Sequence, residues 1–337
     1  MRAVRLHDVG DLRAETVAMP PPPPPGFVTI AVRAAGICGS DLHNFRTGQW
    51  ISRRPSTAGH EVCGRIAALG EGVEDLAPGD TVVADSRVWC GNCPACLGGR
   101  RHLCESLGFV GEVCDGGFAE ALQLPARLVH RHDPALEPEI AAMAEPLAVA
   151  LHAVRRLRAA AGEPVLVTGC GTIGGLAALL LSRLHDGPLL VADLNAEKAA
   201  LVGEVTGGRA VALDRAALDA ALAGGRLRYA LDATGAIAAI ARTLDLMAGG
   251  GTLALVGIGH GRLDLDPNLL VEREIALAGC HAFAGELPEA IAHLPELSAS
   301  LTRFVEILPD LDSVPEAYQR LLRGEGRALK TIIRVAG

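Results

Sequence analysis

The chain has 337 residues, which is long enough for two domains with separate hydrophobic cores. Half of its residues are hydrophobic and its net charge is −8, which excludes a disordered chain. Acidic and basic residues are interleaved, so we expect no basic face and no nucleic-acid partner. The apolar runs are too short to span a bilayer and residues 1–8 are polar, so we expect neither a membrane partner nor a signal peptide.

The first part of the sequence is typical of a β-rich domain. Residues 1–19 fit a pair of strands, and residues 27–33, 61–68 and 81–84 fit further strands separated by Pro/Gly turns. Between the first two of these segments lies a run of six prolines, residues 20–25, which favours an extended conformation. We interpret this run as a surface spacer, with a ligand for proline-binding domains as the alternative.

A thiol, a hydroxyl and an imidazole lie within six positions, at Cys38, Ser40 and His43, next to glycines that allow tight turns. His60 and Glu61 follow another glycine. The sulfur, nitrogen and oxygen donors of Cys38, His60 and Glu61 suit zinc, and three protein ligands with an open fourth position are typical of a catalytic zinc site. The alternative is the chance proximity of a buried cysteine and two loop residues.

Four of the nine cysteines are crowded together at Cys90, Cys93, Cys96 and Cys104. The spacing of three wraps the chain around one ion, and a closed shell of four thiolates indicates a structural zinc, the second zinc ion per chain. In a chain without a leader sequence, this pattern favours metal ligation in a reducing cytoplasm over disulfides. A nucleic-acid-binding zinc ribbon is the alternative, and the acidic charge balance argues against it.

Residues 140–157 have helical periodicity that is interrupted at Glu145 and Pro146. A carboxylate among alanine, methionine and leucine is costly to bury without a partner, so a metal role is one interpretation of Glu145. A carboxylate that is stabilised by the dipole at a helix N-terminus is the other. His152 lies seven residues later, on the same helical face, and it either supports the metal site or packs in the core.

A glycine-rich turn predicts a dinucleotide site in the second half of the chain. Residues 163–171 form an apolar strand that ends in glycine, and Gly169, Gly171 and Gly174 then open a helix, the context that makes this motif specific. Its N–H groups would approach a pyrophosphate. The strand at 189–192 ends in Asp193, where an acid would hold the ribose hydroxyls, and no arginine follows to receive a 2′-phosphate. We therefore expect NAD rather than NADP.

These motifs together resemble the zinc-dependent medium-chain alcohol and polyol dehydrogenases over nearly the whole chain. Residues 144–152 are closely similar to the polyol branch, which includes sorbitol and L-idonate 5-dehydrogenases. The resemblance implies that Glu145 contacts the catalytic zinc directly or through water. It also implies that Ser40 takes the substrate proton and that His43 passes it on. The residues then expected to contact the cofactor are Gly169, Gly171, Thr172, Ile173, Gly174, Asp193, Val256 and Ile258.

The expected fold is α/β, with a GroES-like, β-rich catalytic domain implied by the resemblance and a doubly wound (Rossmann) parallel-sheet domain that binds NAD. We place the catalytic domain at residues 1–149 and 286–337, with the structural zinc lobe at about 88–106, and the Rossmann domain at 150–285. Family members form dimers and tetramers, and we expect a cytoplasmic homo-oligomer, with a tetramer favoured over a dimer.

The sequence therefore predicts an NAD-dependent zinc dehydrogenase that acts on a secondary alcohol of a polyol, sugar or sugar acid. Alternatives are a dehydrogenase of a simple secondary alcohol or of L-threonine, and a non-catalytic binding protein on the same fold. Ala282 occupies the position where related sugar enzymes often carry a substrate-binding arginine. Arg46, Arg53 and Arg54 are the nearest cations in sequence for a substrate carboxylate, unless they are simply solvated charges.

Overall fold

The structure, a computed structural model, describes residues 1–259, 261–326 and 328–335. The chain forms two compact units: Met1–Glu145 with Leu287–Gly337, and Pro146–Glu286. These limits differ from the expected domain boundaries by four residues at the first crossing and by one at the second. No helix in the described part of the chain is long and apolar enough to cross a membrane.

The first unit opens with short strands in which apolar and polar residues are mixed, and Gly10 and the proline run lie in the connections after the first two strands. Strands β1 and β2 pair antiparallel, as the sequence indicated for residues 1–19. In chain order, its elements up to residue 143 are β1 (Arg2–Asp8), β2 (Asp11–Thr16), β3 (Phe27–Ile37), α1 (Gly39–Thr47), β4 (Ser56–Thr57), β5 (Glu61–Leu69), β6 (Thr81–Ala84), β7 (Arg87–Val88), α2 (Pro94–Leu97), β8 (Gly108–Phe109), β9 (Ala121–Pro125), β10 (Val129–Arg131) and α3 (Pro138–Ala141).

The second unit is a doubly wound sheet of six parallel strands in the order β13-β12-β11-β14-β15-β16, as predicted. All four residues of β11 are buried, which is typical of a strand covered by helices on both faces. The elements are α4 (Ala144–Leu157), β11 (Val165–Thr168), α5 (Thr172–Leu184), β12 (Leu189–Ala192), α6 (Ala196–Thr206), β13 (Arg209–Ala210), α7 (Arg215–Leu222), β14 (Tyr229–Asp232), α8 (Ile237–Leu246), β15 (Thr252–Leu255), α9 (Pro267–Arg273) and β16 (Ala276–Gly279).

The C-terminal segment completes the first unit. It contains α10 (Leu287–Thr302), β17 (Val305–Leu308), α11 (Val314–Leu322) and β18 (Lys330–Arg334). Strand β18 runs antiparallel to β3 and parallel to β17, so the last strand joins a seven-stranded sheet in the order β10-β6-β5-β3-β18-β17, with β9 also paired to β3. The β-rich domain that the sequence predicted is therefore confirmed.

The segment at 140–157 differs from the single interrupted helix that its periodicity predicted. Helix α3 ends at Ala141 and α4 begins at Ala144, so the break lies before Glu145. Pro146 is then the third residue of α4, where a backbone N–H has no partner within the helix. Proline is tolerated at that point, and Glu145 lies in the first turn, where the helix dipole favours a carboxylate.

Candidate functional site

The three predicted metal donors meet where β3 ends and β5 begins. The antiparallel register of these strands pairs Gly36 with Glu61, which brings Cys38, just beyond the end of β3, close to the start of β5. The Cys38 sulfur, a ring nitrogen of His60 and a carboxylate oxygen of Glu61 all lie within 4.8 Å of one another. His60 and Glu61 are buried, and Cys38 is half-buried. One thiol, one imidazole and one carboxylate are thus assembled around one point.

Asp41, which the sequence analysis did not single out, lies beside two of these donors. Its Oδ1 lies 3.7 Å from Nδ1 of His60, and its Oδ2 accepts a hydrogen bond of 2.8 Å from the backbone N–H of Cys38. A carboxylate beside one ring nitrogen of a histidine holds the ring so that the other nitrogen faces a metal. The available signal was the position of Asp41 in the first turn of α1, three residues after Cys38.

Lys330 is the second residue that the sequence analysis missed. Its Nζ contacts the carboxylate of Glu61 and donates a 2.9 Å hydrogen bond to the carbonyl oxygen of Ile37. Burial lowers the pKa of Lys330, but the negative charges of Glu61, Cys38 and Asp41 and the hydrogen bond to Glu61 together outweigh this effect, so the pKa is raised. Gly36 is required beside this pair, because a Cβ atom there would come within 1.8 Å of Glu61 Oε2 and 2.8 Å of Lys330 Cε.

Glu145 is not one of the three residues whose donor atoms converge. Ser86 Oγ donates a 2.6 Å hydrogen bond to Glu145 Oε1, and both side chains are buried. Burial raises the pKa of the Glu145 carboxyl, His60 lowers it and Glu61 raises it, which shows that the three groups share one electrostatic environment. Glu145 therefore lies within electrostatic range of His60 and Glu61.

The charges and donor types at this site fit a zinc ion. Burial lowers the pKa of His60, yet Asp41 and Cys38 raise it well above its usual value, so the environment favours positive charge. The same negative environment would favour a divalent cation bound by Cys38, His60 and Glu61. Sulfur, nitrogen and oxygen donors together are typical of zinc.

The predicted relay residues both lie on α1. Ser40 is in its first turn, and His43 is buried one turn later. The Nε2 atom of His43 lies 2.8 Å from Oε1 of Gln49, and the ring centroid of His43 lies 4.5 Å from that of Trp50. Because Oε1 of Gln49 is an acceptor, this contact favours the tautomer that carries its proton on Nε2.

The four clustered cysteines form the second converging group. Their sulfur atoms lie within 4.8 Å of one another, and all four thiols are free. Hydrogen bonds from the backbone of Asn92 and Cys93 lower the pKa of the Cys90 thiol to about 6, which favours the thiolate. Cys93 caps α2, whose Pro94 begins the helix, so the turn predicted from glycine and proline is formed. Four thiols can fill all four positions of a tetrahedral zinc ion and leave none open, which fits a structural zinc.

The glycine-rich turn connects β11 to α5 as predicted. Gly169 has φ +88°, and a Cβ atom on Gly174 would lie 1.7 Å from the carbonyl oxygen of Gly169, so only glycine permits this packing of helix on strand. Gly171 caps α5, and Thr172 and Ile173 are its first residues. The backbone N–H groups of the first turn of a helix suit a pyrophosphate.

Asp193 follows β12 and lies beside this turn. Its Oδ2 accepts a 2.6 Å hydrogen bond from the backbone N–H of Cys170, and its Oδ1 accepts one of 2.7 Å from that of Asn195. The side chains of Leu194 and Ile258 are exposed and that of Val256 is half-buried. All of these residues follow the carboxyl ends of parallel strands, where ligands of doubly wound sheets bind.

Comparison with known proteins agrees with this arrangement. Residues 24–134 match the alcohol dehydrogenase GroES-like domain, and residues 174–296 match the zinc-binding dehydrogenase family. The chain is 34% identical to L-galactonate-5-dehydrogenase of Escherichia coli K12 over 276 residues (80% of this chain, 79% of the relative), and 28% identical to sorbitol dehydrogenase of Bacillus subtilis 168 over 342 residues (99% and 97%).

Among solved structures, galactitol-1-phosphate dehydrogenase from Escherichia coli superposes with a TM-score of 0.91 at 26% identity, covering 99% of this chain and 100% of that one. The first family model spans Cys38, His60, Glu61 and the four clustered cysteines, and the second begins at Gly174, the last glycine of the glycine-rich turn. The chain belongs to the zinc-dependent medium-chain alcohol and polyol dehydrogenases, and it is an oxidoreductase.

Proposed function

We propose that this enzyme reversibly oxidises a secondary alcohol of a polyol, sugar or sugar acid, as sorbitol and L-idonate 5-dehydrogenases do, with NAD as the hydride acceptor. The observation that carries the proposal is the convergence of the Cys38, His60 and Glu61 donors within 4.8 Å of one another. These three residues would hold the catalytic zinc, with Glu145 binding it directly or through water. The structural zinc would be held by the thiolates of Cys90, Cys93, Cys96 and Cys104.

Bound zinc supplies Lewis-acid polarisation of the substrate oxygen, and NAD supplies the hydride acceptor. Ser40 Oγ accepts the hydroxyl proton of the substrate, and His43 passes it towards solvent. The contacts of His43 with Gln49 and Trp50 hold its ring in one orientation during this transfer. Asp41 keeps the His60 ring turned towards the metal position.

The cofactor preference follows from Asp193. Two backbone N–H groups fix its carboxylate, which then presents acceptors to the adenosine ribose hydroxyls and repels a 2′-phosphate. The pyrophosphate would bind to the turn formed by Gly169, Gly171, Thr172, Ile173 and Gly174. The nicotinamide would lie beside Val256 and Ile258. The proposal includes a cytoplasmic homotetramer, with a dimer as the alternative assembly.

A second hydroxyl on the substrate would find an acceptor in the carboxylate of Glu145. A site built to bind a hydroxyl strongly rejects analogues that lack it, because its buried polar group is left unpaired. Vicinal diols within polyols should therefore exceed simple secondary alcohols by about two orders of magnitude in kcat/KM.

The test is a substrate panel with the zinc-loaded enzyme and NAD: sorbitol, xylitol, L-idonate, L-threonine and 2-butanol, followed by NADH absorbance. Activity confined to the first three supports the proposal, and the highest kcat/KM for L-threonine or 2-butanol would replace it with the corresponding alternative. The Cys38→Ser variant serves as the control for activity that does not need the catalytic metal.

A further inference from the structure

Three guanidinium groups lie around one indole ring in the part of the first unit that carries the four clustered cysteines. The Cζ atoms of Arg127, Arg101 and Arg87 lie 4.8, 5.0 and 5.6 Å from the ring centroid of Trp89. All three distances are within the reach of a cation–π contact, which is about 6 Å. Arg127 Nη2 also donates a 3.2 Å hydrogen bond to the carbonyl oxygen of Trp89. We call these four residues the tryptophan–arginine cluster.

The indole ring of this cluster packs with the cysteines. Trp89 is only 7% exposed and belongs to the same buried apolar cluster as Cys93, Cys96 and Cys104. Cys90, the fourth cysteine, follows Trp89 directly in sequence and is exposed. The ring thus links the guanidinium groups to the buried part of the proposed structural zinc site.

The cluster carries more positive charge than its acidic neighbours compensate. The guanidinium group of Arg87 forms a buried ion pair with Asp85, with hydrogen bonds of 2.9 and 2.7 Å. Arg101 and Arg127 are exposed, and within the described residues neither forms an ion pair with an acid. Water screens the repulsion between these two cations only in part, and an anionic group beside the ring would offset it.

A zinc ion held by four thiolates is such an anionic group. Four thiolate charges and the two positive charges of the metal leave a net charge of −2. Arg101 and Arg127 carry two positive charges, so the charges of the two arginines and of the loaded site balance. Arg101 lies between Cys96 and Cys104 in sequence, and its carbonyl oxygen accepts a 3.1 Å hydrogen bond from the N–H of Cys104.

We propose that Arg101 and Arg127, held on the ring of Trp89, control the retention of the structural zinc. Their charges stabilise the four bound thiolates, and the ring keeps water and competing ligands from the buried side of the site. The inference rests on the proposed function for the zinc ion at the four cysteines and does not depend on the substrate. Groups around the ligands of a metal tune its affinity, and their loss typically costs about 10- to 100-fold.

The test measures zinc loss at this site separately from the catalytic site. The zinc-loaded enzyme is incubated with EDTA and N-ethylmaleimide, and labelling of the tryptic peptide that carries Cys90, Cys93 and Cys96 is followed by mass spectrometry. Labelling reports zinc loss, because a sulfur that is bound to zinc is not free to react. Cys63, which is buried in the same unit, should stay unlabelled in the same digest as long as the unit remains folded.

The Arg101→Gln/Arg127→Gln variant should be labelled at least tenfold faster than the wild type, while Cys63 stays protected. Arg100→Gln removes an exposed charge next to Arg101 in sequence and should stay within twofold of the wild type. The Arg101→Lys/Arg127→Lys variant keeps both charges and should recover most of the protection. Labelling that is equally fast in the glutamine and lysine variants, or unchanged in both, would overturn the proposal.

The salt dependence separates a charge effect from a loss of packing. Raising the NaCl concentration from 0.1 to 1 M shortens the Debye length from about 10 to about 3 Å. Labelling of the wild type should therefore become severalfold faster, whereas the Arg101→Gln/Arg127→Gln variant should respond less than twofold. Equal responses would overturn the role of the charges.

The ring and the zinc ion itself are checked in the same assay. Trp89→Leu keeps an apolar side chain but removes the aromatic face, so labelling should become severalfold faster, and an unchanged rate would overturn the role of the ring. Wild-type cysteines that are labelled equally fast with and without EDTA would show that no zinc protects them, which overturns the structural zinc of the proposed function together with this proposal. Protection by zinc that none of the substitutions weakens would overturn this proposal alone.

Discussion

The ammonium group of Lys330 contacts the carboxylate of Glu61 although 269 residues separate them in sequence, and both side chains are only 1% exposed. The contact exists because β18 pairs with β3, placing Thr331 opposite Ile37, while β5 pairs with the same strand and places Glu61 opposite Gly36. The last strand of the chain thus delivers a buried cation to the first metal-binding segment. Because Glu61 is also a candidate ligand, Lys330 restricts where its oxygens lie.

Replacing Lys330 with methionine should destabilise the enzyme strongly. The substitution leaves Glu61 buried without its cation, and breaking a buried ion pair on one side costs about 3–5 kcal/mol in the free energy of unfolding. Urea unfolding of the zinc-loaded protein measures this loss. The Lys330→Met/Glu61→Gln double variant should recover part of it, whereas strictly additive losses in the double-mutant cycle would show that the two side chains do not interact.

The two groups of converging donors should hold two zinc ions with separable roles. A structural zinc contributes about 10–16 kcal/mol to the folding of small zinc-binding peptides, which is comparable to the stability of a whole domain. We therefore expect Cys96→Ser to give unstable or insoluble protein and Cys38→Ser to give a folded, inactive one. Metal analysis and circular dichroism check both expectations. One zinc per well-folded, active wild-type chain would contradict the assignment.

The donors that local motifs carry could be predicted from the sequence. Cys38, His60 and Glu61 lie beside glycines that mark their turns, and the spacing of the four clustered cysteines is itself the signal of a closed site. The structure brings each of these sets together. Their partners could not be predicted in the same way, because Lys330 and Ser86 reach the site through strand register and loop packing, which short sequence patterns do not encode.

Helix boundaries and the partner of His152 show the same limit. Periodicity indicated a helix over residues 140–157 that is interrupted at Glu145 and Pro146, whereas the break lies before Ala144 and Glu145 belongs to the first turn of α4. His152 had two interpretations, and its Nδ1 lies 3.0 Å from Oε1 of Glu286, a buried carboxylate 134 residues later. A pairing over that distance in sequence is a property of the folded unit and leaves no local pattern.

Asp193 should set the preference for NAD. Replacing it with serine removes the charge that would repel a 2′-phosphate and shortens the side chain that reaches the ribose hydroxyls. The ratio of kcat/KM for NAD to that for NADP should fall at least tenfold in Asp193→Ser, measured with one polyol substrate at saturation. A wild-type enzyme that prefers NADP would show that the assignment of Asp193 is wrong.

Asp232, at the carboxyl end of β14, ties the end of β11 to the loops that follow β14 and β15 at the proposed cofactor edge. Its fully buried carboxylate accepts hydrogen bonds from Thr168 Oγ1 at 3.0 Å, from Thr234 Oγ1 at 2.6 Å and from the N–H of Gly235 at 2.9 Å. Its backbone carbonyl accepts from the N–H groups of Val256 and Gly257. Only glycine fits at position 235, where φ is +62° and a Cβ atom would lie 2.5 Å from the backbone of Ile258.

Asp232→Asn should therefore weaken cofactor binding more than it slows turnover. An amide has one acceptor oxygen where the carboxylate has two, so at least one of the three donors loses its partner, which costs about 1–3 kcal/mol when the group is buried. If this loss weakens the free energy of NADH binding by about 1.4 kcal/mol, the Kd for NADH measured by titration calorimetry should rise about tenfold. The value of kcat at saturating NAD should change less than threefold. Thr234→Ser, which keeps the hydroxyl, should bind NADH as the wild type does, and a lowered melting temperature with an unchanged Kd in Asp232→Asn would restrict Asp232 to a role in stability.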